Sequence, residues 1–492
     1  MLRRSLRSNF RCALAKACSM VLLTAPPMDQ HPTSRRAAAS SMLTREQLES
    51  IRADAFAEDM ELTDEMLGWS EAAAAEYFES GGSVRPMSEA EAATIAPLDI
   101  YCISDVHVEH SQNAAWMKSL PDGNGGPAQP GSVLLCGGDL ATAPDTLRNA
   151  FRAFKKAYET VFFTPGNHDI WITCRSAPDS LRKYKDILKI CDEEGVLTAP
   201  ERLRAQSSDG RVPSVWVVPI ASWYHASWDR EPPLNPPPGM RLQIDPAVRH
   251  ASSDEACCKW PSNLKHGSEE LAGAIDAINS GEGERRSFEG ALSAIADERA
   301  AATASNVPPP VVISMSHMLP RQELCPEKRH LFMPTLHTII GSDFLRRRVE
   351  ALRPQVHVFG HTHFAWDQTL DGIRYIQWCL ATPAEQSRRV PYAGADGAAA
   401  CKLWLPLPIW RAVSGFSPPA PCTYFSDLYK MKGRHPESCE MSSYTAAIFC
   451  PSAPIDEMIP MPEEAKDSAE AAAANETLKA QIARGQSFMN KR

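Results

Sequence analysis

Short apolar runs of strand length recur between residues 97 and 390, and this pattern constrains the fold more than any other feature. Several runs are nearly continuous in Val, Ile, Leu or Phe, as expected for strands buried on both faces of a sheet. Segments with helical spacing separate them, at Asp145–Tyr158 and Ser180–Glu193. Strands that alternate with helices predict an α/β fold. The apolar runs are Leu98–Ile103, Ser132–Leu135, Thr160–Phe163, Val215–Val218, Val311–Met315, Val356–Phe359 and Arg374–Trp378.

Potential metal ligands of only three kinds, Asp, His and Asn, follow five of these runs together with several glycines. In open α/β sheets, ligands bind outside the carboxyl ends of the strands. We therefore expect these side chains to converge on one cleft. The five motifs are Ser104-Asp105-Val106-His107, Gly137-Gly138-Asp139, Gly166-Asn167-His168-Asp169, Ser316-His317 and Gly360-His361-Thr362-His363.

The spacing within two motifs indicates a metal site. Asp105 and His107 are two residues apart, and on an extended strand such a pair points to the same side, so both can reach one metal ion. His361 and His363 have the same spacing. If the site holds two metal ions, the two residues of each pair can instead bind different ions. Asp139 stands alone after its strand, and its two carboxylate oxygens suit a bridge between two ions. Ligands without thiolates favour Mn, Fe or Zn ions and argue against a closed structural zinc site.

In this order the motifs resemble those of the calcineurin-like metallophosphoesterase superfamily, over about residues 97–390. The resemblance implies a four-layer αββα sandwich and an enzyme that hydrolyses phosphate mono- or diesters by attack of a hydroxide bridging two divalent ions. It implies that His168 assists at the phosphate. By position, it assigns Asp105, His107, Asp139 and His363 to one ion, and Asp139, Asn167, His317 and His361 to the other.

One motif departs from part of that superfamily. Its protein serine/threonine phosphatases read G-D-x-x-D-R-G, whereas this chain continues Asp139 with Leu-Ala-Thr-Ala and lacks the second Asp and the Arg. The departure argues against a protein phosphatase. Asp169 or a more distant acid is then expected to orient His168, with Asp169 as the candidate. Arg321 is either a phosphate clamp or a salt-bridged loop residue.

Two other functions compete with a hydrolase of small phosphorylated substrates. One is a scaffold that has lost catalysis, which the complete ligand set argues against. The other is a nuclease, which needs a basic surface that follows the phosphate backbone. The net charge of −9 and the short basic group Arg346–Arg348 do not provide such a surface. Substrate choice is expected to depend on loops and on the insertions.

Composition divides the chain into four predicted parts. Residues 1–43 are rich in Arg and Ser and contain one acid, as in an organellar transit peptide, although an unstructured tail is the alternative. Residues 44–96 form an acidic helical lead-in, beginning with capping-box spacing. The catalytic domain covers 97–392, with insertions at about 226–306 that include a predicted helix pair. Residues 393–492 form a C-terminal extension, which has no strand rhythm and is partly helical or disordered.

The amino-acid composition also predicts where in the cell the protein is located. No window approaches the ~18–20 apolar residues that a transmembrane helix needs, so we expect a soluble protein. The 14 cysteines include no C-x-x-C pair, and Cys102 and Cys136 lie inside apolar runs, as in a reducing compartment. We expect a chloroplast or mitochondrial location if residues 1–43 are a transit peptide and a cytoplasmic one otherwise.

Overall fold

The structure is a computed structural model, and the predicted leader 1–43 and nearly all of the lead-in 44–96 lie outside the residues it describes. Both segments, and the organellar location that rests on the leader, therefore stay predictions. The described residues are 95–120, 129–172, 177–205, 212–235, 253–281, 286–331, 333–386, 405–420, 425, 426, 429, 433–442, 445 and 446.

Five strands form the first sheet. They are β1 (Asp99–Ile103), β2 (Gln129–Cys136), β3 (Tyr158–Phe163), β10 (Leu407–Arg411) and β11 (Gly415–Phe416), in the order β11-β10-β1-β2-β3. The strands β1, β2 and β3 are parallel, whereas β10 runs antiparallel to β1 and to β11. Because β1, β2 and β3 are parallel, the loops that follow them emerge at the same edge of the sheet.

Three helices accompany this sheet: α1 (Ser111–Ser119), α2 (Pro144–Ala157) and α3 (Ser180–Glu193). The helix α2 begins with Pro144, whose missing N–H removes no hydrogen bond because the first N–H groups of a helix have no partner within it. It contacts β3 and both other helices. The helix α3 begins after Asp179, whose carboxylate accepts a hydrogen bond from the backbone N–H of Arg182 at 2.7 Å.

The second sheet has six strands in the order β4-β5-β6-β7-β9-β8. The four inner strands β5, β6, β7 and β9 are parallel, and the short edge strands β4 and β8 are antiparallel to their neighbours. Every residue of β5, β6 and β7 is buried, as their mostly apolar sequences predict. The strands are β4 (Glu201–Leu203), β5 (Val215–Pro219), β6 (Val311–Met315), β7 (Val356–Phe359), β8 (Trp366–Leu370) and β9 (Ile373–Gln377).

Five more helices lie in the second half of the described chain. They are α4 (Ser253–Cys257), α5 (Glu269–Asp276), α6 (Phe288–Ser305), α7 (Asp343–Leu352) and α8 (Pro383–Gln386). The helix α6 contacts β5, and α5 contacts α7. The serines that precede α5, α6 and α7 each accept a hydrogen bond from a backbone N–H of the first turn. Short 3₁₀ segments occur at Ala226–Trp228, Ala277–Ser280, Gln322–Leu324, Lys328–His330 and Pro334–Ile339.

The two sheets and their helices form the predicted four-layer αββα sandwich, and one continuous cluster of buried apolar residues joins the layers. Ser104, just after β1, also links the sheets directly. Its backbone N–H donates to the carbonyl of Trp378 at 2.9 Å, and its carbonyl accepts from Leu380 at 2.9 Å. The loops at the carboxyl ends of both sheets are thereby held together, which is the edge where the sequence predicts the site.

Most of the predicted elements are confirmed within the described residues. The bounds of α3, β6 and β7 agree with the predicted segments, and α5 and α6 are the predicted helix pair of the insertion. The prediction that strand rhythm stops after about residue 390 is wrong. β10 pairs with β1, with Asp99 opposite Arg411, so this part of the predicted extension belongs to the first sheet. No helix among the described residues is long and apolar enough to span a bilayer.

Candidate metal centre

Five of the seven predicted ligands have a left-handed backbone, with φ of 51° at Asp105, 46° at His107, 53° at Asp139, 78° at His361 and 58° at His363. Such conformations are uncommon outside glycine, and they cluster at functional sites where the surroundings impose them. The argument that Asp105 and His107 share one side of an extended strand is therefore wrong, because β1 ends at Ile103. The two side chains nevertheless meet in one cluster, through the shape of the loop.

The first cluster contains four buried side chains: Asp105, His107, Asp139 and His363. One possible ligand atom from each lies within 4.8 Å of the others. The Nε2 atoms of His107 and His363 are 3.0 Å apart, and Nε2 of His363 lies 3.5 Å from Oδ1 of Asp105. All four residues were assigned to one ion by the resemblance, and the fold brings them together.

The second cluster is centred on the Asn167 side chain. Its Oδ1 atom lies 2.9 Å from Nε2 of His317 and 2.9 Å from Nδ1 of His361. Its Nδ2 atom donates a hydrogen bond of 2.9 Å to Oδ1 of Asp254. His361 and His363, two residues apart in sequence, thus lie in different clusters, which is the divided arrangement that their spacing left open.

The hydrogen bonds of the two imidazoles determine which nitrogen faces Asn167. Nδ1 of His317 lies 2.8 Å from the carbonyl oxygen of Gly137, and Nε2 of His361 lies 2.9 Å from that of Ile339. A carbonyl only accepts, so these nitrogens carry the protons, and the opposite nitrogens of the neutral rings present lone pairs to Oδ1 of Asn167. Three lone-pair atoms that converge in this way repel one another. The donor set fits a divalent cation.

Asp139 lies between the clusters. Its Oδ1 atom is 3.5 Å from Nε2 of His317 in the second cluster, and its Oδ2 atom is 4.0 Å from Nε2 of His107 in the first. Each carboxylate oxygen therefore faces a different group of ligands. The side chain is 1% exposed, so solvent does not compete for these oxygens. This is the geometry expected of a bridging carboxylate.

The electrostatics of the centre also suit cations. Burial raises the pKa of Asp139 well above its usual value, and the carboxylates of Asp169 and Asp105 raise it further. Burial lowers the pKa of His107 to about 3 and that of His361 to about 4, which favours the neutral imidazole that binds metals. Against the effect of burial, the carboxylates of Glu385 and Asp105 raise the pKa of His363 well above its usual value. Bound cations would stabilise the charged form of Asp139 that burial disfavours.

His168 lies beside the first cluster. Its Nε2 atom is 3.9 Å from Oδ2 of Asp139, and its backbone N–H donates to Oδ1 of the same residue at 2.8 Å. The imidazole stacks on the Trp171 ring, with centroids 3.6 Å apart and planes 27° apart. Its side chain is 21% exposed, whereas that of His317 is 0% exposed. His168 is therefore open to the solvent side of the centre.

Asp169 contacts the turn that carries Asp139. Its carboxylate accepts four backbone hydrogen bonds of 2.8–2.9 Å, from Asp139, Leu140, Ala141 and Gly166. These bonds give Asp169 a part in positioning the bridging residue. Its expected action on His168 stays a prediction.

Arg321 was predicted to be either a phosphate clamp or a salt-bridged loop residue, and the structure shows it in salt bridges. Its guanidinium group binds the carboxylate of Glu323 at 2.7 Å and also binds the carboxylate of Asp371. The salt-bridged interpretation of Arg321 is therefore confirmed.

Two carboxylates that hold ligands in place were not found by sequence analysis. Oε2 of Glu385 accepts a hydrogen bond of 2.9 Å from Nδ1 of His363, so Nε2 of that ring is the nitrogen that faces His107 and Asp105. Oδ1 of Asp254 accepts from Asn167, as described above. Glu385 lies in α8 and Asp254 in α4, within the predicted insertion. Neither stands next to a ligand motif, so no local signal identifies them.

Gly166 allows the chain to pass close to the carboxylate of Asp139. A Cβ atom added at this position would lie 2.2 Å from Oδ1 of Asp139 and 2.7 Å from its backbone nitrogen. No side chain fits at these distances. The glycine that precedes Asn167 and His168 is therefore required by the close approach of two ligand loops.

Comparison with known proteins connects this centre to a family. Residues 98–223 match the profile of the family described as calcineurin-like phosphoesterase. The chain is 24% identical over 304 residues to the "[Acyl-carrier-protein] phosphodiesterase PptH" of Mycobacterium tuberculosis, an alignment that covers 60% of this chain and 81% of the relative.

Solved structures give two further matches. The crystal structure of phosphopantetheinyl hydrolase (PptH) from M. tuberculosis is 20% identical, with a TM-score of 0.43, covering 60% of this chain and 94% of that one. A putative 5'-nucleotidase from Staphylococcus aureus is 11% identical, with a TM-score of 0.26, covering 57% and 48%.

Proposed function

This chain belongs to the calcineurin-like metallophosphoesterase superfamily, and from that premise we propose that it hydrolyses phosphodiesters with two divalent metal ions and His168. The position of Asp139 carries the proposal, because its two carboxylate oxygens face two separate groups of ligands. A scaffold without catalysis has no need to retain both groups around a buried carboxylate. The ligand set therefore supports an enzyme.

The first ion would be held by Asp105, His107, Asp139 and His363, and the second by Asp139, Asn167, His317 and His361. Mn, Fe and Zn all suit these nitrogen and oxygen donors. The chemistry that such a pair supplies is Lewis acidity, which activates water and neutralises the charge that develops on the phosphoryl group. The protein keeps the ligands buried and fixes each imidazole through its second nitrogen, as at His363 and Glu385.

His168 acts on the substrate rather than on the ions. Its ring is partly exposed and lies beside Oδ2 of Asp139, so its Nε2 atom can reach an oxygen of a phosphate ester that enters the centre. The stack on Trp171 restricts rotation of the ring. This atom can hydrogen-bond a phosphoryl oxygen or deliver a proton to the departing alkoxide, and as a general acid it is expected to contribute ~10²–10⁴-fold to the rate.

The relative from M. tuberculosis, which is named as an acyl-carrier-protein phosphodiesterase, favours a diester over a monoester as the substrate. A phosphodiester on a carrier protein is therefore the first substrate to test, together with small phosphodiesters.

Nucleic acid is disfavoured because two of the arginines in the basic group 346–348 are engaged by acids. Arg346 pairs with Glu350, and Arg348 pairs with Asp276 and Glu289. Such paired cations leave little charge for a phosphate backbone.

The experiment compares four substrates for the Mn²⁺-loaded protein: an aryl phosphodiester, an aryl phosphomonoester, a carrier protein with a phosphodiester-linked group and a single-stranded oligonucleotide. We expect turnover of the diesters to exceed that of the monoester and of the oligonucleotide at physiological salt. Preference for the oligonucleotide would support the nuclease instead. A folded, metal-loaded protein that turns over none of the four would support the scaffold.

A further inference from the structure

Asp254 accepts hydrogen bonds from three side chains that surround the centre. Its Oδ1 atom accepts from Nδ2 of Asn167 at 2.9 Å and from Nε1 of Trp171 at 2.6 Å, and its Oδ2 atom accepts from the hydroxyl of Tyr224 at 2.9 Å. Asp254 is 3% exposed, so water does not replace these bonds. The three donors come from two different loops, after β3 and after β5, whereas Asp254 lies on α4.

The bond to Asn167 selects which end of the amide faces the imidazoles. An amide presents an acceptor at one end and two donors at the other, and only the oxygen can bind a cation. Because Nδ2 of Asn167 is engaged by Asp254, its Oδ1 atom is directed towards Nε2 of His317 and Nδ1 of His361. Without an acceptor at position 254, the hydrogen bond that opposes rotation of the amide is lost.

The bond to Trp171 fixes the ring on which His168 stacks. The indole N–H of Trp171 donates a hydrogen bond to the carboxylate oxygen of Asp254 that also accepts from Asn167. The centroids of the His168 and Trp171 rings are 3.6 Å apart. One carboxylate oxygen thus connects a metal ligand with the support of the residue that faces the substrate. This coupling passes through two hydrogen bonds and one ring contact.

We propose that Asp254 is a positioning residue, supplied by the insertion, that sets the orientation of Asn167 for the second metal ion and of Trp171 beneath His168. The inference rests on the proposed function, since it concerns the second ion of that centre. It gives the insertion a direct part in building the centre, in addition to any effect on substrate choice.

The chemistry of the contacts distinguishes three substitutions. In Asp254→Asn, one amide oxygen still accepts from Asn167 and Trp171, and the new N–H₂ group can donate to the hydroxyl oxygen of Tyr224. In Asp254→Leu, a side chain of similar size leaves both nitrogen donors buried without an acceptor. Asp254→Glu keeps the charge but moves the oxygens by one methylene group.

The test measures Mn²⁺ bound per chain by elemental analysis after desalting, together with Mn²⁺ affinity from titration calorimetry. We expect two ions in the wild-type protein and in Asp254→Asn. In Asp254→Leu, the affinity of one of the two sites is expected to fall ~10–100-fold, the range for loss of a group that orients a ligand. The matched control is Glu255→Leu, which removes an exposed carboxylate of the same helix and should bind two ions with unchanged affinity.

Several outcomes overturn the inference. Equal affinity of both sites in the wild type and in Asp254→Leu would show that Asp254 does not orient Asn167. A loss in Asp254→Asn as large as that in Asp254→Leu would show that the negative charge matters and not the hydrogen bonds. If Asp254→Leu does not fold, Asp254→Glu decides, because a positioning role predicts weaker binding than in Asp254→Asn despite the retained charge. A wild-type protein that binds fewer than two ions would instead contradict the proposed function.

Discussion

Nε2 of His317 lies 2.9 Å from Oδ1 of Asn167, although 150 positions separate the two residues in the chain. His317 follows β6 in the second sheet, and Asn167 follows β3 in the first. The contact therefore joins the two sheets at their carboxyl ends. It exists because parallel strands of both sheets present their following loops to one edge, so the centre depends on the packing of the whole sandwich.

The first prediction separates metal binding from action on the substrate. Asp139→Asn removes one of two bridging oxygens, and His168→Ala removes the group that faces the substrate. Each variant is expected to lose at least ~10²-fold in turnover of an aryl phosphodiester with Mn²⁺. His168→Ala should keep two bound ions, whereas Asp139→Asn should bind fewer. Steady-state kinetics and elemental analysis measure the two properties, and unchanged turnover in both variants would rule out the assigned centre.

The second prediction concerns the close approach at Gly166. In Gly166→Ala the added methyl group meets Oδ1 of Asp139 at 2.2 Å, so the loop must move and both the metal content and the turnover should fall by at least ~10-fold. The control is Gly273→Ala on α5, where the nearest contacts are side-chain atoms of Phe344 at 3.3 and 3.5 Å. Alanine is favoured over glycine in a helix, so this control should keep full activity. Equal activity in both variants would contradict the described loop geometry.

The third prediction tests Glu385. Its Oε2 atom accepts from His363 and from the backbone and hydroxyl groups of Thr382, at 2.9, 2.9 and 2.7 Å. Glu385→Ala is expected to weaken one metal site ~10–100-fold, because the ring of His363 loses its fixed tautomer and orientation. Mn²⁺ titration measures the change. The matched control is Glu350→Ala, which removes a carboxylate whose side chain is half exposed, and a similar loss there would contradict a specific role for Glu385.

The fourth prediction concerns metal removal. Burial and the nearby carboxylates of Asp169 and Asp105 disfavour the charged form of Asp139, and a bound cation should stabilise the folded protein by balancing that charge. Free Mn²⁺ at one hundred times its dissociation constant should raise the free energy of unfolding by about 2.7 kcal/mol per site. Calorimetry should show a higher unfolding temperature with Mn²⁺ and reversal by a chelator. An unfolding temperature that does not respond to metal would contradict a cation site in this interior.

Sequence patterns were sufficient for the parallel strands and for naming the residues that the fold brings into the two clusters. β6 and β7 are mostly apolar runs, each with one polar residue, and burial on both faces is what such a run predicts. β10 was missed because only two of its residues, Ile409 and Trp410, are buried and Pro408 interrupts it. The sequence of a short antiparallel strand near the edge of a sheet, interrupted by a proline, gives little indication that it forms a strand.

The conformation of the ligand loops could not be predicted from spacing. Asp105 and His107 reach one cluster with positive φ angles, whereas the sequence argument required an extended strand. Such strain is imposed by contacts distant in sequence, for example by the bond from the backbone N–H of His361 to Oδ1 of Asp105 at 2.9 Å. Asp254 and Glu385 were missed for the same reason, since their partners are brought to them by the fold.

The most direct test of the central claim is anomalous X-ray scattering from crystals of the Mn²⁺-loaded protein. We expect two Mn peaks per chain, one within Asp105, His107 and His363 and the other within Asn167, His317 and His361, with the Asp139 carboxylate between them. A single peak, or peaks located away from Asp139, would contradict the account.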